Sequence, residues 1–559
     1  MTPDLQRSPY HSPRTLWALC IGFLLVWFYM LGVRTLVPTD EGRYAEMARE
    51  MVATGDWITL RLNGIKYFEK PPLQNWMNAI TFSLFGLGDW QARLWTGLCG
   101  LIGIFSAAYT AFKFYGCRVG INTGLILGSS FYWVTGGHVN TLDMGLSAMM
   151  TLCLCGLLLA QRDGATAKER RNGMLLCWSG MALATLSKGL IGFVLPGAVL
   201  VIYTFWTRDF SLWMRLHIVK GLMVFFAITA PWFILIWQAN PEHPYFFFIH
   251  EHFQRFTSNV HKRGGPWWYF FPLLAIGMIP WLGFVVHGLL DGVLSEKSKK
   301  ERQFHSKKML VIWSIFIFFF FSISGSKLPS YILPIFPAVA ILIAATIDSL
   351  STRIFKMNAA ILMLVALVCV CLAFFLPQMQ KESFVTPLYQ AMTPYILLGA
   401  LLMLVGGAIG YRHAATKRDT AIIVIAASAF FGGQVITLGM DQFGQYKAGV
   451  HHIKAIKAEL QADTPLYTVG LYEQSLPFYL RRTTILVEHP DELEFGLGIQ
   501  PELWIAKRSD FIATWRTLHQ SGKKAVAILK PEVYVDLKDE QLPMRVIGQD
   551  PLRVIVAIP

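Results

Sequence analysis

The segment that follows the first apolar run is dense in charged side chains. Asp40 and Glu41 come almost directly after that run, and Glu69 and Lys70 stand just before the diproline at 71–72. A diproline restricts the backbone to an extended, rigid path. We therefore expect Lys70 to be held at headgroup depth, where its ammonium could bind a lipid phosphate. The alternative is a lysine that snorkels to membrane lipids without forming a site.

Asp40 has two interpretations. It directly precedes a helical pattern over 41–55, so it could serve as the N-cap of that helix, with Glu41 complementing the helix dipole. The alternative is a functional carboxylate at the membrane surface. The local sequence alone leaves both open.

Other ionisable side chains fall at the ends of apolar runs. Asp143, Lys188 and Lys327 stand at such ends, and Tyr331 follows closely after Lys327. Ionisable residues at membrane depth are energetically costly and usually mark a function. We therefore expect several span ends to present their charges toward one shared outer cavity.

A second polar cluster lies in the segment 239–266. Within it, His250, His252 and Arg255 fall close together. The planar guanidinium of Arg255 suits the oxygens of a phosphate. His250 could be a metal ligand with Glu69 as its carboxylate partner, but an HxH pair alone is weak evidence for zinc. Hydrogen-bonded structural histidines are the alternative.

These side chains must be positioned by membrane helices. Of the 559 residues, 54% are hydrophobic and only 15% are charged, against about 25% charged in a typical soluble domain. Thirteen apolar segments approach the length of about 17–25 residues that crossing a bilayer requires. They lie near 15–37, 90–113, 119–138, 142–161, 172–187, 190–206, 221–238, 267–290, 309–324, 329–348, 357–376, 393–410 and 420–440. The shorter, amphipathic stretch 73–88 is predicted to lie in the membrane interface.

Lysine and arginine are distributed unevenly over the connecting loops. With the N-terminus inside, the inner loops hold 21 of them in 72 residues, and the outer loops hold 11 in 105. The positive-inside rule then places 38–89, 239–266 and the C-terminal tail outside. The net charge of +14 is thus explained by topology. Nucleic-acid binding is not expected, because the basic residues form no basic and aromatic face on a soluble module.

The composition changes near residue 441. Helical patterns there alternate with short β-rich runs at 465–470, 483–488, 524–530 and 553–559. Such alternation predicts a small soluble α/β domain over 441–559, after a transmembrane domain over 1–440. This domain carries no glycine-rich phosphate-binding motif, and its role is not predicted.

Six features of the sequence, taken together, carry a family resemblance. They are DEGRYAEMAREM (40–51), KYFEKPPLQNW (66–76), Asp143 at a span end, LSKG (186–189), EHFQRF (251–256) and SKLPSYILPIFP (326–337). In this order they resemble the GT-C membrane glycosyltransferases, which include the dolichyl-phosphate-mannose protein mannosyltransferases, and most closely the lipid A aminoarabinose transferases. The first two motifs in combination are the most specific to that branch.

The resemblance implies an all-α polytopic GT-C fold of about thirteen spans with a small C-terminal α/β periplasmic domain. It also implies a multi-pass protein of the bacterial inner membrane with a periplasmic active site. Members of this family move 4-amino-4-deoxy-L-arabinose from undecaprenyl phosphate to lipid A phosphates, which gives polymyxin resistance. Asp40 and Asp143 are then the catalytic candidates. The candidates for binding lipid phosphate or substrate are Arg43, Tyr67, Lys70, Lys188, Arg255, Lys327 and Tyr331.

A metal and two other functions stay open. Many relatives depend on a divalent metal, but the first loop has Asp40 and Glu41 in place of a DxD pair. The resemblance therefore leaves only a structural cation, such as zinc held by Glu69 and His250. The other functions are a transferase that uses another polyprenyl-phosphate sugar on a protein or glycan, and a lipid-linked sugar transporter. A transporter often has internal repeats and charges at the midplane.

Overall fold

The computed structural model of the protein describes residues 8–249, 264–294, 303–379 and 384–559. Within these ranges, helices occupy each of the thirteen apolar segments that the sequence predicts. In chain order, their bounds are Pro13–Tyr29, Asp89–Tyr115, Cys117–Ser129 with Phe131–Gly137, Leu142–Gln161, Ala167–Lys188, Ile191–Thr207, Ile218–Ala239, Phe270–Gly277 with Leu282–Leu294, Ser306–Ile323, Pro329–Ile335 with Phe336–Thr346, Thr352–Met379, Thr386–His413 and Arg418–Gly439.

Not all of these helices are long and apolar enough to cross a membrane alone. Eight among the described residues are, and a ninth candidate is the pair Phe270–Gly277 and Leu282–Leu294, which bends by 107° at its break. Pro13–Tyr29 and Ile191–Thr207 are apolar but shorter. A multi-pass helical membrane protein is confirmed, and the count of thirteen spans stays a prediction.

The helix Leu142–Gln161 lies in the interior of the bundle. In its apolar window, 89% of the residues are buried, and the helix packs closely against Ala167–Lys188. A Cβ on Gly156 would lie 2.7 Å from the backbone nitrogen of Cys177, so a glycine is needed for this close approach. The interior helix carries Asp143 in its first turn.

The first loop, residues 38–89, has its own secondary structure. It forms the helix Asp40–Thr54, then a hairpin in which β1 (Arg61–Leu62) pairs antiparallel with β2 (Ile65–Lys66). The helix Leu73–Phe85 follows, within the stretch for which a short interfacial helix is predicted. This loop therefore presents its polar residues from short, regular elements.

The C-terminal part contains a six-stranded sheet. The strands are β3 Leu466–Val469, β4 Ile485–Val487, β5 Trp504–Ile505, β6 Val526–Leu529, β7 Arg545–Asp550 and β8 Arg553–Ala557. Their order in the sheet is β5-β4-β3-β6-β8-β7. Strands β5, β4, β3 and β6 are parallel, β8 is antiparallel to β6, and β7 is antiparallel to β8. Every residue of β3 and β6 is buried, as is typical of strands covered on both faces.

Helices cover both faces of this sheet. Phe511 and Trp515 pack on one face, and Ile456 and Leu476 pack on the other. An α/β unit is therefore present, and the boundary at 440/441 stays a prediction. The helices after the last membrane segment are Asp441–Ala448, Ile453–Glu459, Leu476–Leu480, Glu494–Ile499, Arg508–Gln520 and Pro531–Asp539.

The C-terminal part packs directly on the first loop. Leu62 and Tyr67 of the loop share one hydrophobic core with Phe478 of the C-terminal part. The side-chain amide of Asn63 donates to the Thr484 carbonyl at 2.6 Å and accepts from the Thr484 N–H at 2.7 Å. The sheet is thus seated on the loop that carries most of the candidate site residues.

Candidate active site

A buried ion pair fixes the start of the helix Asp40–Thr54. Arg93 Nε lies 2.6 Å from Glu41 Oε1, and Arg93 Nη2 lies 2.9 Å from Glu41 Oε2. The Asn140 backbone N–H donates to the same carboxylate at 2.9 Å. Burial by itself raises the pKa of Glu41, but the charge and hydrogen bonds of Arg93 outweigh it and lower the pKa to about 2. Glu41 therefore ties the first loop to the membrane helices, a role beyond complementing the helix dipole.

Asp40 is the first residue of this helix. Thr39 occupies the N-cap position and makes no capping hydrogen bond with its side chain, so the capping interpretation of Asp40 was wrong. The Asp40 carboxylate turns instead toward Arg43, with 3.4 Å between Oδ1 and Nη2. The Asp40 side chain is 46% exposed and that of Arg43 only 7%. An accessible carboxylate thus stands beside a buried arginine.

Arg43 is contacted from both parts of the chain. Its Nε lies 2.8 Å from Glu492 Oε1 and donates to Gln474 Oε1 at 3.2 Å. Its Nη1 donates to the Tyr67 hydroxyl at 3.3 Å. Burial raises the pKa of Glu492 to about 7, against the opposing charge of Arg43. The C-terminal part therefore contributes two polar side chains to this arginine, and no sequence motif marks either of them.

Lys70 is held beside its neighbour Glu69. Lys70 Nζ donates to the Glu69 carbonyl at 3.0 Å and lies 3.3 Å from Glu69 Oε2. The extended path predicted for the diproline was wrong at Pro72, which precedes the helix Leu73–Phe85 and has backbone angles in the helical region. The short helix therefore begins almost directly after Lys70 and limits where its ammonium can reach.

Asp143, Lys188 and Tyr331 come together from three segments of the chain. Lys188 Nζ forms an ion pair with Asp143 Oδ1, and the Ser330 hydroxyl donates to Asp143 Oδ2 at 2.7 Å. The Lys188 ammonium also lies 4.5 Å from the centre of the Tyr331 ring, within the range of a cation–π contact. The span ends that carry these residues do converge. Ser330, which lies between Lys327 and Tyr331 in the sequence, was not predicted to contact Asp143.

The buried side chain of Tyr44 is affected by the charges of both Asp40 and Asp143. Burial raises the pKa of the Tyr44 hydroxyl, Arg43 opposes this effect, and the charges of Asp40 and Asp143 add to it. Tyr44 is therefore within electrostatic range of both candidate catalytic carboxylates. That Asp40 and Asp143 belong to one site stays a prediction.

Three further candidates are not joined to this site by the contacts described. Lys327 is buried, and its Nζ donates to the Ser324 carbonyl at 2.6 Å, within its own turn. His250 and Arg255 lie outside the described residues. Their proposed roles stay predictions.

Glu69 and His250 are the predicted metal ligands. Of the two, Glu69 lies within the described residues and His250 lies outside them. The Glu69 carboxylate already neighbours the Lys70 ammonium. One carboxylate is fewer than the three or four protein ligands usual for zinc. No chemical step is therefore assigned to a metal at this position.

One group of side chains in the described ranges has the spacing of metal ligands, and it consists of His451, His452 and Asp550. Both histidines approach the same oxygen of Asp550, at 3.2 and 2.9 Å. Arg553 Nε lies 3.4 Å from that oxygen. The Asp550 carboxylate thus already has a cationic partner, Arg553. We interpret the group as a structural network at the end of strand β7.

Known families match both parts of the chain. A family model described as dolichyl-phosphate-mannose-protein mannosyltransferase matches residues 69–237, and one described as aminoarabinose transferase C-terminal domain matches residues 452–558. The first match begins at Glu69 and includes Asp143 and Lys188. The second covers all six strands of the C-terminal sheet.

Several relatives share the name undecaprenyl phosphate-alpha-4-amino-4-deoxy-L-arabinose arabinosyl transferase. The one from Aeromonas hydrophila is 32% identical over 64% of this chain, and the match spans 64% of that relative's length. The one from Enterobacter sp. (strain 638) is 27% identical over 94% of this chain and 96% of its own length. The likeness therefore extends through the C-terminal part.

A solved structure matches nearly the whole chain. The crystal structure of ArnT from Cupriavidus metallidurans bound to undecaprenyl phosphate is 38% identical, with a TM-score of 0.91 over 97% of each chain. The apo structure of the same protein gives a TM-score of 0.90 over 98% of each chain. The resemblance inferred from the motifs is confirmed. Sequence identity and fold agree over nearly the whole length of this solved relative, and the chain belongs to the aminoarabinose transferase family.

Proposed function

We propose that this protein transfers 4-amino-4-deoxy-L-arabinose from undecaprenyl phosphate to the phosphate groups of lipid A. The observation that carries the proposal is the agreement along 97% of the chain with an ArnT crystallised with undecaprenyl phosphate. The amino sugar masks negative charge on lipid A, so the expected consequence is resistance to polymyxin and other cationic peptides.

The reaction exchanges one phosphate for another at the anomeric carbon. The bond from C1 to the undecaprenyl phosphate oxygen breaks, and an oxygen of a lipid A phosphate forms a bond to C1. Negative charge develops on the departing phosphate, so fixed cations beside it lower the barrier. We assign this role to Arg43 and Lys70, with Arg255 as a third cation. Tyr67 supports Arg43 through its hydroxyl.

The acceptor needs little activation. A phosphate is largely ionised at neutral pH, so no strong general base is required to generate the nucleophile. We therefore assign Asp40, the more exposed carboxylate, to pair with the amino group of the sugar and orient it. Asp143 is already engaged by Lys188 and Ser330, and it is the second candidate to pair with that amino group.

A direct displacement inverts the configuration at C1. The alternative, retention, needs a covalent sugar–enzyme intermediate and two displacements. Comparison of the anomeric configuration of donor and product by NMR tests this part of the proposal. Retained configuration would contradict it.

The site is proposed to face the periplasm from the bacterial inner membrane. Support comes from the excess of lysine and arginine in the opposite loops. A variant without native cysteines, carrying single cysteines at positions 40 and 70, tests it with a membrane-impermeant thiol reagent. Labelling in intact spheroplasts is expected, and labelling only after the membrane is opened would contradict the orientation.

The function is tested by mass spectrometry of lipid A from cells with and without the gene. The expected result is a gain of one or more aminopentose masses that depends on the gene. An unchanged lipid A together with a modified protein or glycan would instead support the second candidate, another polyprenyl-phosphate-sugar transferase. The mannosyltransferase match at 69–237 is the observation that keeps this candidate in view.

A further inference from the structure

We propose that the C-terminal domain completes the active site, with Glu492 and Gln474 as positioning residues that aim Arg43 at the substrate phosphate. This inference rests on the proposed function, which supplies that phosphate. It assigns a role to a domain in which no catalytic motif is found.

The first argument is the way the guanidinium is shared. An arginine presents five N–H donors in a planar fork, of which one is on Nε and four are on the two Nη atoms. The Nε edge of Arg43 is taken by Glu492 at 2.8 Å and by Gln474 at 3.2 Å. Among the described residues, the contacts of the Nη atoms are longer, at 3.4 Å to Asp40 and 3.3 Å to Tyr67. The edge formed by the two Nη atoms is therefore the one able to bind a phosphate through two bonds.

The second argument is that the two positioning residues hold each other. The Gln474 amide donates from Nε2 to Glu492 Oε1 at 2.9 Å, the same oxygen that pairs with Arg43. Gln474 is 2% exposed as a residue, and the Glu492 side chain is 17% exposed. The three side chains form a closed and largely buried network, so the orientation of one fixes the others.

The third argument is that the backbone holds Gln474 close to Arg43. Gly42, next to Arg43, lies so close to the C-terminal domain that a Cβ there would be 2.7 Å from the Gln474 carbonyl oxygen. The hydroxyl of Ser475 donates to the Leu36 carbonyl at 3.1 Å. The backbone at residues 474–475 is therefore held against the first loop, next to Arg43.

These contacts have a functional consequence. A free arginine side chain has many rotamers, and ordering it when the phosphate binds costs conformational entropy. In addition, without Glu492 and Gln474 the Nε edge loses the two partners that fix it, so the guanidinium can rotate away from the orientation in which its Nη atoms are available to a phosphate. Preorganisation by the C-terminal domain removes both costs. Loss of either positioning residue should therefore weaken phosphate binding even though neither residue touches the phosphate.

The test measures binding of undecaprenyl phosphate to the purified full-length protein in detergent by isothermal titration calorimetry. The variants are Glu492→Gln and Gln474→Ala, and the matched control is Glu494→Gln, an exposed carboxylate two residues from Glu492. We expect Kd to rise roughly five- to tenfold in each of the first two variants, as for loss of one ordinary hydrogen bond. The control should bind as the wild type does.

A double substitution separates positioning from a merely structural role. Arg43→Lys keeps a positive charge but has no Nε edge for Glu492 to hold. Adding Glu492→Gln to Arg43→Lys should therefore raise Kd no further, because residues that act through a shared partner are not additive. Thermal melting of each variant, followed by intrinsic fluorescence, identifies any that is misfolded. If Glu492→Gln fails to fold, Gln474→Ala alone and in combination with Arg43→Lys carries the test.

The outcomes distinguish this inference from the proposed function. Unchanged Kd in folded Glu492→Gln and Gln474→Ala proteins would overturn the positioning role, and so would a fully additive loss in the double variant. A wild type that binds undecaprenyl phosphate but transfers no sugar would overturn the proposed function alone. A wild type that does not bind undecaprenyl phosphate would overturn both.

Discussion

Arg93, in the helix Asp89–Tyr115, binds both carboxylate oxygens of Glu41, at 2.6 and 2.9 Å. The neighbouring carboxylate, Asp40, is 46% exposed and has Arg43 as its ion-pair partner at 3.4 Å. Two adjacent acidic residues thus have opposite surroundings. One is built into the fold, and the other is free to meet a substrate.

The first prediction concerns Glu41. Glu41→Gln leaves the buried Arg93 charge without its partner, which typically costs about 3–5 kcal/mol. We expect a clearly lower thermal midpoint for the purified protein in detergent. The pKa of Glu41 is lowered from 4.5 to about 2, so its ionised form stabilises the fold above pH 4.5, and this stability is lost as the pH falls toward 2. The difference between variant and wild type should shrink over that range.

Asp40→Asn is the internal control for that measurement. Because the Asp40 side chain is half-exposed, its thermal midpoint should stay close to that of the wild type. Equal destabilisation by Asp40→Asn and Glu41→Gln would contradict the division of roles between the two residues.

The second prediction concerns activity without loss of fold. Asp40→Asn removes the charge assigned to the amino group of the sugar, and Lys70→Ala removes a cation assigned to the leaving phosphate. We expect each to lower the transfer rate by roughly 100-fold or more, as for other groups that stabilise charge in a transition state. Transfer is measured with purified protein, and polymyxin resistance is measured in cells. Normal resistance with either variant would count against these roles.

The third prediction concerns the pair of Asp143 and Lys188. Asp143→Asn leaves the Lys188 ammonium largely without its counter-charge, and Lys188→Met does the reverse. Each single change should lower transfer strongly. The double variant should be no worse than the more damaged single one, because the two charges act as a unit. If the losses in rate multiply in the double variant, the residues act independently and this interpretation fails.

The fourth prediction is a pH dependence that originates in Glu492. Burial raises its pKa from 4.5 to about 7, Arg43 opposes this, and the charges of Glu69, Asp491 and Asp40 add to it. The ionised fraction of such a group falls from about 90% at pH 8 to about 10% at pH 6. The ionised form holds Arg43, so affinity for undecaprenyl phosphate should decrease as the pH falls through 7.

Glu492→Gln is the control for this dependence. The donor lipid phosphate titrates identically with both proteins, so any difference between their pH profiles belongs to Glu492. The variant should have the flatter profile between pH 6 and 8. Parallel profiles would show that another group is responsible.

The linear sequence was informative where chemistry coincides with a local pattern. Apolar length located the helices, and charges at the ends of apolar runs marked Asp143 and Lys188. Such residues interrupt a hydrophobic segment, which is costly and therefore visible. The α/β character of the C-terminal part followed from its alternating patterns.

Contacts between distant segments were not visible in this way. Gln474 and Glu492 meet Arg43 across more than 400 positions, and each lies in a polar stretch where such residues are common. The cap of the helix was misjudged because the cap position falls one residue earlier, at Thr39, and Asp40 pairs with Arg43 within the first turn. Glu41 was undervalued because its partner, Arg93, stands on another helix.

Transfer by the purified protein tests the central claim most directly. Undecaprenyl phosphate-linked aminoarabinose and lipid A are incubated with the wild type or with Asp40→Asn, and lipid A is analysed by mass spectrometry. We predict one or more added aminopentose masses with the wild type, with release of undecaprenyl phosphate, and almost none with the variant. Unmodified lipid A with a folded wild-type protein, or equal modification by both proteins, would contradict the account.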